Sequence, residues 1–269
     1  MSLAATDRLE PRERVERALR HDDRPAVVSY LTGGFPDPAR FETTLRQVMA
    51  ASDVVEIGVP FSDPMADGVT LQAAASQALR HGATLPSLLR SVAAAPGDVP
   101  VLLMSYLNPL LAYGLEALVV DARRAGVCGF IVPDLPLEES HLLQGLCDAH
   151  GLALVPLVTP LTPDARLRAI GEGARGFVYA VTRTGITGSG TDTSDLGAYL
   201  DRVRSAVSVP VCAGFGIRGP EQVRPIAGHV DGVIIGSALV QSIGEGGDPT
   251  ALLRSLQVPR PSGWPGRSG

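Results

Sequence analysis

Eight short runs of apolar and β-branched residues, separated by longer stretches of helical period, constrain this chain more than any other feature of its sequence. The runs are Ala26–Leu31, Asp53–Val59, Val99–Ser105, Gly129–Val132, Leu152–Val158, Gly176–Val181, Val209–Ala213 and Asp231–Ile235. Short apolar runs of this kind read as strands buried on both faces. Between them, Arg40–Ala51, Leu115–Ala125, Leu137–His150, Pro163–Gly173, Ser194–Ala206 and Pro220–Ala227 place apolar residues at helical spacing. The gap between the second and third runs has room for two helices, Thr70–Arg80 and Leu85–Ala94. Parallel strands need long crossovers and helices supply them, so the alternation predicts a parallel sheet. Eight such units in 269 residues favour a closed (β/α)8 TIM barrel over an open doubly wound sheet. Arg12–Arg20 reads as an extra N-terminal helix across the barrel bottom, and residues 1–258 as one domain. The stretch Pro259–Gly269, rich in Pro, Gly and Ser, is expected to be disordered.

Composition matters here chiefly through one absence. No lysine occurs, so all 23 basic residues are arginine. Imine chemistry ordinarily uses a lysine amine, and this chain acting alone cannot perform it. The five histidines (His21, His81, His141, His150, His229) are far apart in sequence, which argues against a metal site. Cys128, Cys147 and Cys212 are odd in number and lack CxxC spacing, so neither a disulfide framework nor zinc is expected. A net charge of −5 argues against nucleic acid and anionic membranes as partners. No uninterrupted apolar run is long enough to span a bilayer, and Met1–Glu10 lacks a signal-peptide core. A cytoplasmic protein without a cofactor is the expectation. Carboxylates, hydroxyls and backbone dipoles remain to do the chemistry.

In such barrels the reactive groups gather where strands run into the following loops. Alternation along the second strand puts Val54, Glu56 and Gly58 on one face and Val55 and Ile57 on the other. If Val55 and Ile57 meet helices, Glu56 enters the upper barrel, where desolvation raises its pKa and suits it to moving protons both ways. Asp67 follows in a loop punctuated by Pro and Gly that can fold back over the opening. Taken alone, each carboxylate has an ordinary explanation: an arginine partner for Glu56, a helix cap for Asp67. Tyr179 has the same strand parity as Glu56 and could share its barrel layer, though a core tyrosine is the plainer reading. Tyr30, Met104, Ile131 and Phe215 fall on the presumed inner face and could line a flat apolar pocket beside the acids.

Two glycine sites suggest how an anion is held. Gly214-Phe215-Gly216 follows the seventh strand, and Gly236-Ser237 follows the eighth and opens a short helix. Glycine allows close backbone approach, and N–H groups at a helix start face an anion. Barrels often bind phosphate in these two loops. Arg183–Gly190, with three glycines and small hydroxyl residues, has the composition of a lid, or of a simple flexible connection.

These stretches resemble the α subunit family of tryptophan synthase over roughly Arg14 to Leu256. Glu56–Gly68 looks like the family signature. Met104–Pro109, Pro133–Pro136, Thr184–Gly188, Gly214–Ile217 and Gly236–Val240 support it. The resemblance implies cleavage of indole-3-glycerol phosphate to indole and glyceraldehyde 3-phosphate, without cofactor or metal. It matches Glu56 to the proton-carrying glutamate, Asp67 to the aspartate that engages the indole N–H, and Tyr179 to a tyrosine beside that glutamate. Gly188, Gly214, Gly216, Gly236 and Ser237 match phosphate-binding positions, and Thr187 a lid residue that orders Asp67. Tyr106, within the Met104–Pro109 match, joins Tyr30, Met104, Ile131 and Phe215 as a substrate-binding residue. A β subunit is the implied partner in an α2β2 complex, with Pro60–Pro64 at the interface. Val69 stands where the family usually carries proline, which loosens the next helix start. A free-standing lyase, or a phosphate-binding barrel that only activates a partner, are the alternative readings.

Overall fold

The computed structural model describes residues 9–182, 193–214, 216–264 and 266. Nine strands form one parallel sheet: β1 (Ala26–Thr32), β2 (Val54–Gly58), β3 (Val101–Met104), β4 (Val127–Ile131), β5 (Ala153–Val155), β6 (Leu157–Val158), β7 (Val178–Val181), β8 (Val211–Gly214) and β9 (Gly232–Ile235). Their order is β5-β4-β3-β2-β1-β9-β8-β7-β6. The two outermost pieces are consecutive in sequence, joined through Pro156, so the sheet closes on itself.

The expected fifth strand, Leu152–Val158, is thus split. Proline has no N–H to give a ladder. Pro156 still accepts, its carbonyl taking the Tyr179 N–H at 2.9 Å. β5 pairs with β4 and β6 with β7, so the interrupted strand completes an eight-position (β/α)8 barrel. A further irregularity lies in β4, where Val101 faces Val127 but Leu102 faces Gly129. One extra residue at Cys128 makes a bulge.

Two cores follow from the strand alternation. Val27, Leu31, Val55, Ile57, Phe130 and Val178 face the helices in the larger, outer core. Val28, Val54, Leu102, Ile131, Val155, Phe177, Tyr179 and Cys212 fill the barrel interior. Val15, on the expected N-terminal helix (Pro11–Ala18), and the following Leu19 belong to that interior cluster and plug the bottom.

Most expected helices are present with shifted ends. Leu137–His150 is broken at Ser140 into a 3-10 turn (Leu137–Glu139) and a helix (His141–Ala149). Pro220–Ala227 is a helical turn followed by a 3-10 turn at Arg224–Ile226, where Pro225 removes a donor. A helix at Leu107–Tyr113 was not anticipated. Among the described residues, no helix is long and apolar enough to cross a membrane. In the tail that was expected to be disordered, Arg260 donates to the carbonyls of Ala227 and Val230 at 2.7 and 2.6 Å, and Trp264 lies against Arg260 and Arg204.

Candidate active site

β2 decides where the principal acid lies. Val55 and Ile57 bury against the helices, so Glu56 must point into the barrel, between Tyr30 of β1 and Leu102 of β3 in register. It is wholly buried, and among the described residues neither carboxylate oxygen has a hydrogen-bond partner. Removal from water disfavours the anion, and the carboxyl pKa rises to about 8. Among the described residues, no arginine partners Glu56 as an ordinary structural carboxylate would require.

Asp67 sits in the loop after β2, half-buried, with its pKa raised by burial to about 6. Its backbone is well tied. The Asp67 N–H donates to the Pro64 carbonyl at 3.2 Å, and Gln72 Nε2 donates to the Asp67 carbonyl at 2.8 Å. The following helix (Val69–Arg80) starts at Val69 with Gly68 as its N-cap and no side-chain cap. Asp67 is therefore not acting as that cap.

Two tyrosines complete the buried face. Tyr30 and Tyr179 each lean over a glycine two positions further along the neighbouring strand. A Cβ on Gly58 would lie 2.0 Å from the Tyr30 hydroxyl, and one on Gly214 would lie 2.4 Å from the Tyr179 hydroxyl. The phenol of Tyr179 is pushed well above its ordinary pKa by burial first and then by the Glu56 charge, so it stays neutral. Tyr30 is raised by burial and by the Asp67 charge. The sequence alone does not show the Tyr–Gly pairing: it reads Gly58 as an inward-facing strand position and Gly214 as a phosphate contact. The detectable signal is the +2 offset across paired strands, which needs the register.

Tyr30, Met104 and Tyr106 line one small space with Gly58, Asp67 and Pro133. Ile131 is not among them. It is fully buried in the inner core with Tyr179, in register with Met104. A larger cavity of about 330 Å³ lies between residues 132–144 and the helix Asp164–Gly173, and Pro133 lines both it and the small space.

The anion loops emerge side by side because β8 and β9 pair. Gly216 has φ +89°, a left-handed conformation that favours glycine. Gly236 precedes the helix Ser237–Gly244 as its N-cap, and among the described residues no side-chain cap bond is made there. Among them, the first N–H groups of the helix face no competing side-chain cap. Thr187, Gly188 and Phe215 lie outside the described residues.

A family model described as "Tryptophan synthase alpha chain" matches residues 17–258. The chain is similar to the tryptophan synthase alpha chain of Geobacter sulfurreducens, 43% identical across 83% of this chain and 86% of that one. The corresponding chain of Solidesulfovibrio magneticus is 46% identical, with 83% and 89% covered. Among solved structures it is similar to tryptophan synthase subunit alpha from Legionella pneumophila, with a TM-score of 0.82, 30% identity, and 93% and 97% coverage. Tryptophan synthase from M. tuberculosis gives a TM-score of 0.82 with 33% identity, covering 92% of this chain and 97% of that one.

Proposed function

The chain belongs to the tryptophan synthase alpha chain family, whose reaction is the cleavage of indole-3-glycerol phosphate, and from that premise we propose that Glu56, Asp67 and Tyr179 carry this reaction here. The observation that carries the reading is Glu56, buried inside the barrel with neither oxygen bonded among the described residues and its pKa raised to about 8.

The cleavage is a retro-aldol step with the substrate's own ring as electron sink. Protonated Glu56 gives its proton to indole C3, and the ring becomes a cationic indolenine. The resulting Glu56 carboxylate takes the proton of the adjacent side-chain hydroxyl. The carbon–carbon bond then breaks, its electrons return to the ring, and indole leaves beside the aldehyde of glyceraldehyde 3-phosphate. Glu56 ends as it began, protonated. Asp67, ionised, accepts the ring N–H and stabilises the cation. Tyr179, neutral beside Glu56, fills the wall against which the ring rests. The amides following Gly214 and Gly236 hold the phosphate, which needs no lysine. The electron sink explains why no imine-forming amine is needed either.

The partner is a β subunit, and the chain acts as the α subunit. Met65 and Val69, on either side of Asp67, are each 82% exposed, an apolar surface at the mouth that a partner would cover. The chain forms one barrel domain and works in the cytoplasm, where buried cysteines such as Cys128 and Cys147 suit a reducing medium. The test is direct. Purified chain should release indole from indole-3-glycerol phosphate, added β subunit should stimulate it, and Glu56→Gln should abolish it. Undiminished release by Glu56→Gln would overturn the assignment.

A further inference from the structure

Two of the stretches that carry the family resemblance, Met104–Pro109 and Pro133–Pro136, give no group to the proton chemistry, yet they are bonded to each other and to the Asp67 loop. The helix Leu107–Tyr113 begins without a cap of its own, since Tyr106 at its N-cap position makes no side-chain cap bond. Its first amide is satisfied from the next loop, Leu107 N–H donating to Asp134 Oδ1 at 2.9 Å. The Tyr106 carbonyl also accepts Ser105 Oγ at 2.9 Å. With its backbone held on both sides, Tyr106 is 5% exposed and its ring lies 5.5 Å from that of Phe61, in the loop that carries Asp67. The Tyr106 hydroxyl then accepts the Ala66 N–H at 2.8 Å, one residue before Asp67.

We propose that Asp134 is a positioning residue for Asp67, acting through the Leu107 amide, the Tyr106 side chain and the Ala66 amide across three successive strand-end loops. Asp134 does not line the small space that Asp67 and Tyr106 share. Its effect is geometric. A capped Leu107 fixes where Tyr106 stands, and Tyr106 fixes the approach of the Asp67 carboxylate to the ring N–H. Small displacements of such a group are costly in rate because its bond to the ring N–H strengthens as the cation forms. The inference rests on the cleavage reading above.

Asp134→Ala and Asp134→Asn in the full-length chain separate this role from general stability. Asparagine keeps an oxygen that accepts the Leu107 N–H, and alanine does not. Asp134→Ala should lower kcat about tenfold, the scale of one lost positioning bond, with little change in KM, because the phosphate loops are untouched. Asp134→Asn should stay within about twofold of the wild type. Hydrogen exchange at the Ala66 amide should quicken in Asp134→Ala and not in Asp134→Asn. Should Asp134→Ala fail to fold, Tyr106→Phe keeps the ring against Phe61, removes only the acceptor, and should quicken the same amide. Unchanged kcat and unchanged Ala66 exchange in Asp134→Ala would overturn the proposal, as would Asp134→Asn being as impaired as Asp134→Ala. A wild-type chain that released no indole would instead defeat the cleavage reading, and the Ala66 exchange would still decide the relay.

Discussion

Asp53 stands just before β2 and Glu56 in the middle of it, three positions on, and the protein surrounds them in opposite ways. Asp53, at the barrel bottom, accepts Arg24 Nη1 at 2.7 Å, Arg24 Nη2 at 2.8 Å and the Val27 N–H at 2.7 Å, with His21 Nε2 3.1 Å away. Burial alone would raise its pKa, but these partners outweigh burial and hold it well below the usual carboxylate range. Glu56, further along the strand, has no such partner among the described residues, and burial raises its pKa. The bottom of the barrel repeats the satisfied arrangement at Asp231, which accepts the Val211 N–H at 2.8 Å. The bottom thus uses its carboxylates to fasten adjacent strands. The interior keeps a carboxylate short of partners, which costs stability and leaves a proton available near neutral pH.

The largest expected effect sharpens that contrast. Glu56→Gln should lower kcat by about a thousandfold or more, in the range of general acid–base contributions. The same change should make the protein more stable at neutral pH, since a raised folded pKa favours folding only while the group is protonated. That contribution is complete below the ordinary glutamate value and is lost as pH rises through about 8. The melting temperature of Glu56→Gln should accordingly rise by a few degrees, at about 2–4 °C per kcal/mol for a chain of this size. A variant that lost both activity and stability would break the comparison.

Asp67→Asn should cost about a hundredfold in kcat/KM, because the amide no longer offers charge to the indolenine. The wild-type pH profile should be bell-shaped, rising as Asp67 ionises through about 6 and falling as Glu56 loses its proton through about 8. The rising limb should vanish in Asp67→Asn, and measured kcat/KM against pH decides it.

Asp53→Ala should do the reverse of Glu56→Gln. It should destabilise the fold by about 2–4 kcal/mol by stranding Arg24, as breaking a largely buried pair does, and leave kcat unchanged where the protein stays folded. Asp53's contribution is present above the ordinary aspartate value and lost as pH falls through its lower folded value, so acid unfolding of the wild type should begin there. Denaturant titration checks the first statement and an acid titration the second. A smaller effect is expected at Gly58→Ala, whose Cβ would fall 2.0 Å from the Tyr30 hydroxyl. Displacing that ring should lower kcat/KM roughly tenfold.

The barrel was legible because its strands are short apolar runs set among helices of a different period. Glu56 could be placed from the alternation of Val55 and Ile57 alone. The break at Pro156 escaped because Leu152–Val158 reads as one apolar run, although a proline inside it is itself a signal of interruption. The helix Leu107–Tyr113 escaped because Pro109 and Gly114 resemble loop punctuation, whereas proline is tolerated in a first helical turn. Ile131 could be placed on the inner face from the same alternation, and there it stands in register with Met104. The bonds from Asp134 to Leu107 and from Ala66 to Tyr106 join loops far apart in sequence, and no local pattern encodes them.

The most direct test is a site-resolved titration of the Glu56 carboxyl carbon in the isotopically labelled protein, with Asp53 followed in the same spectra. The account predicts that Glu56 titrates near 8 while Asp53 stays ionised well into the acid range. A Glu56 carboxyl that titrates at the ordinary glutamate value, alongside Asp53, would contradict it.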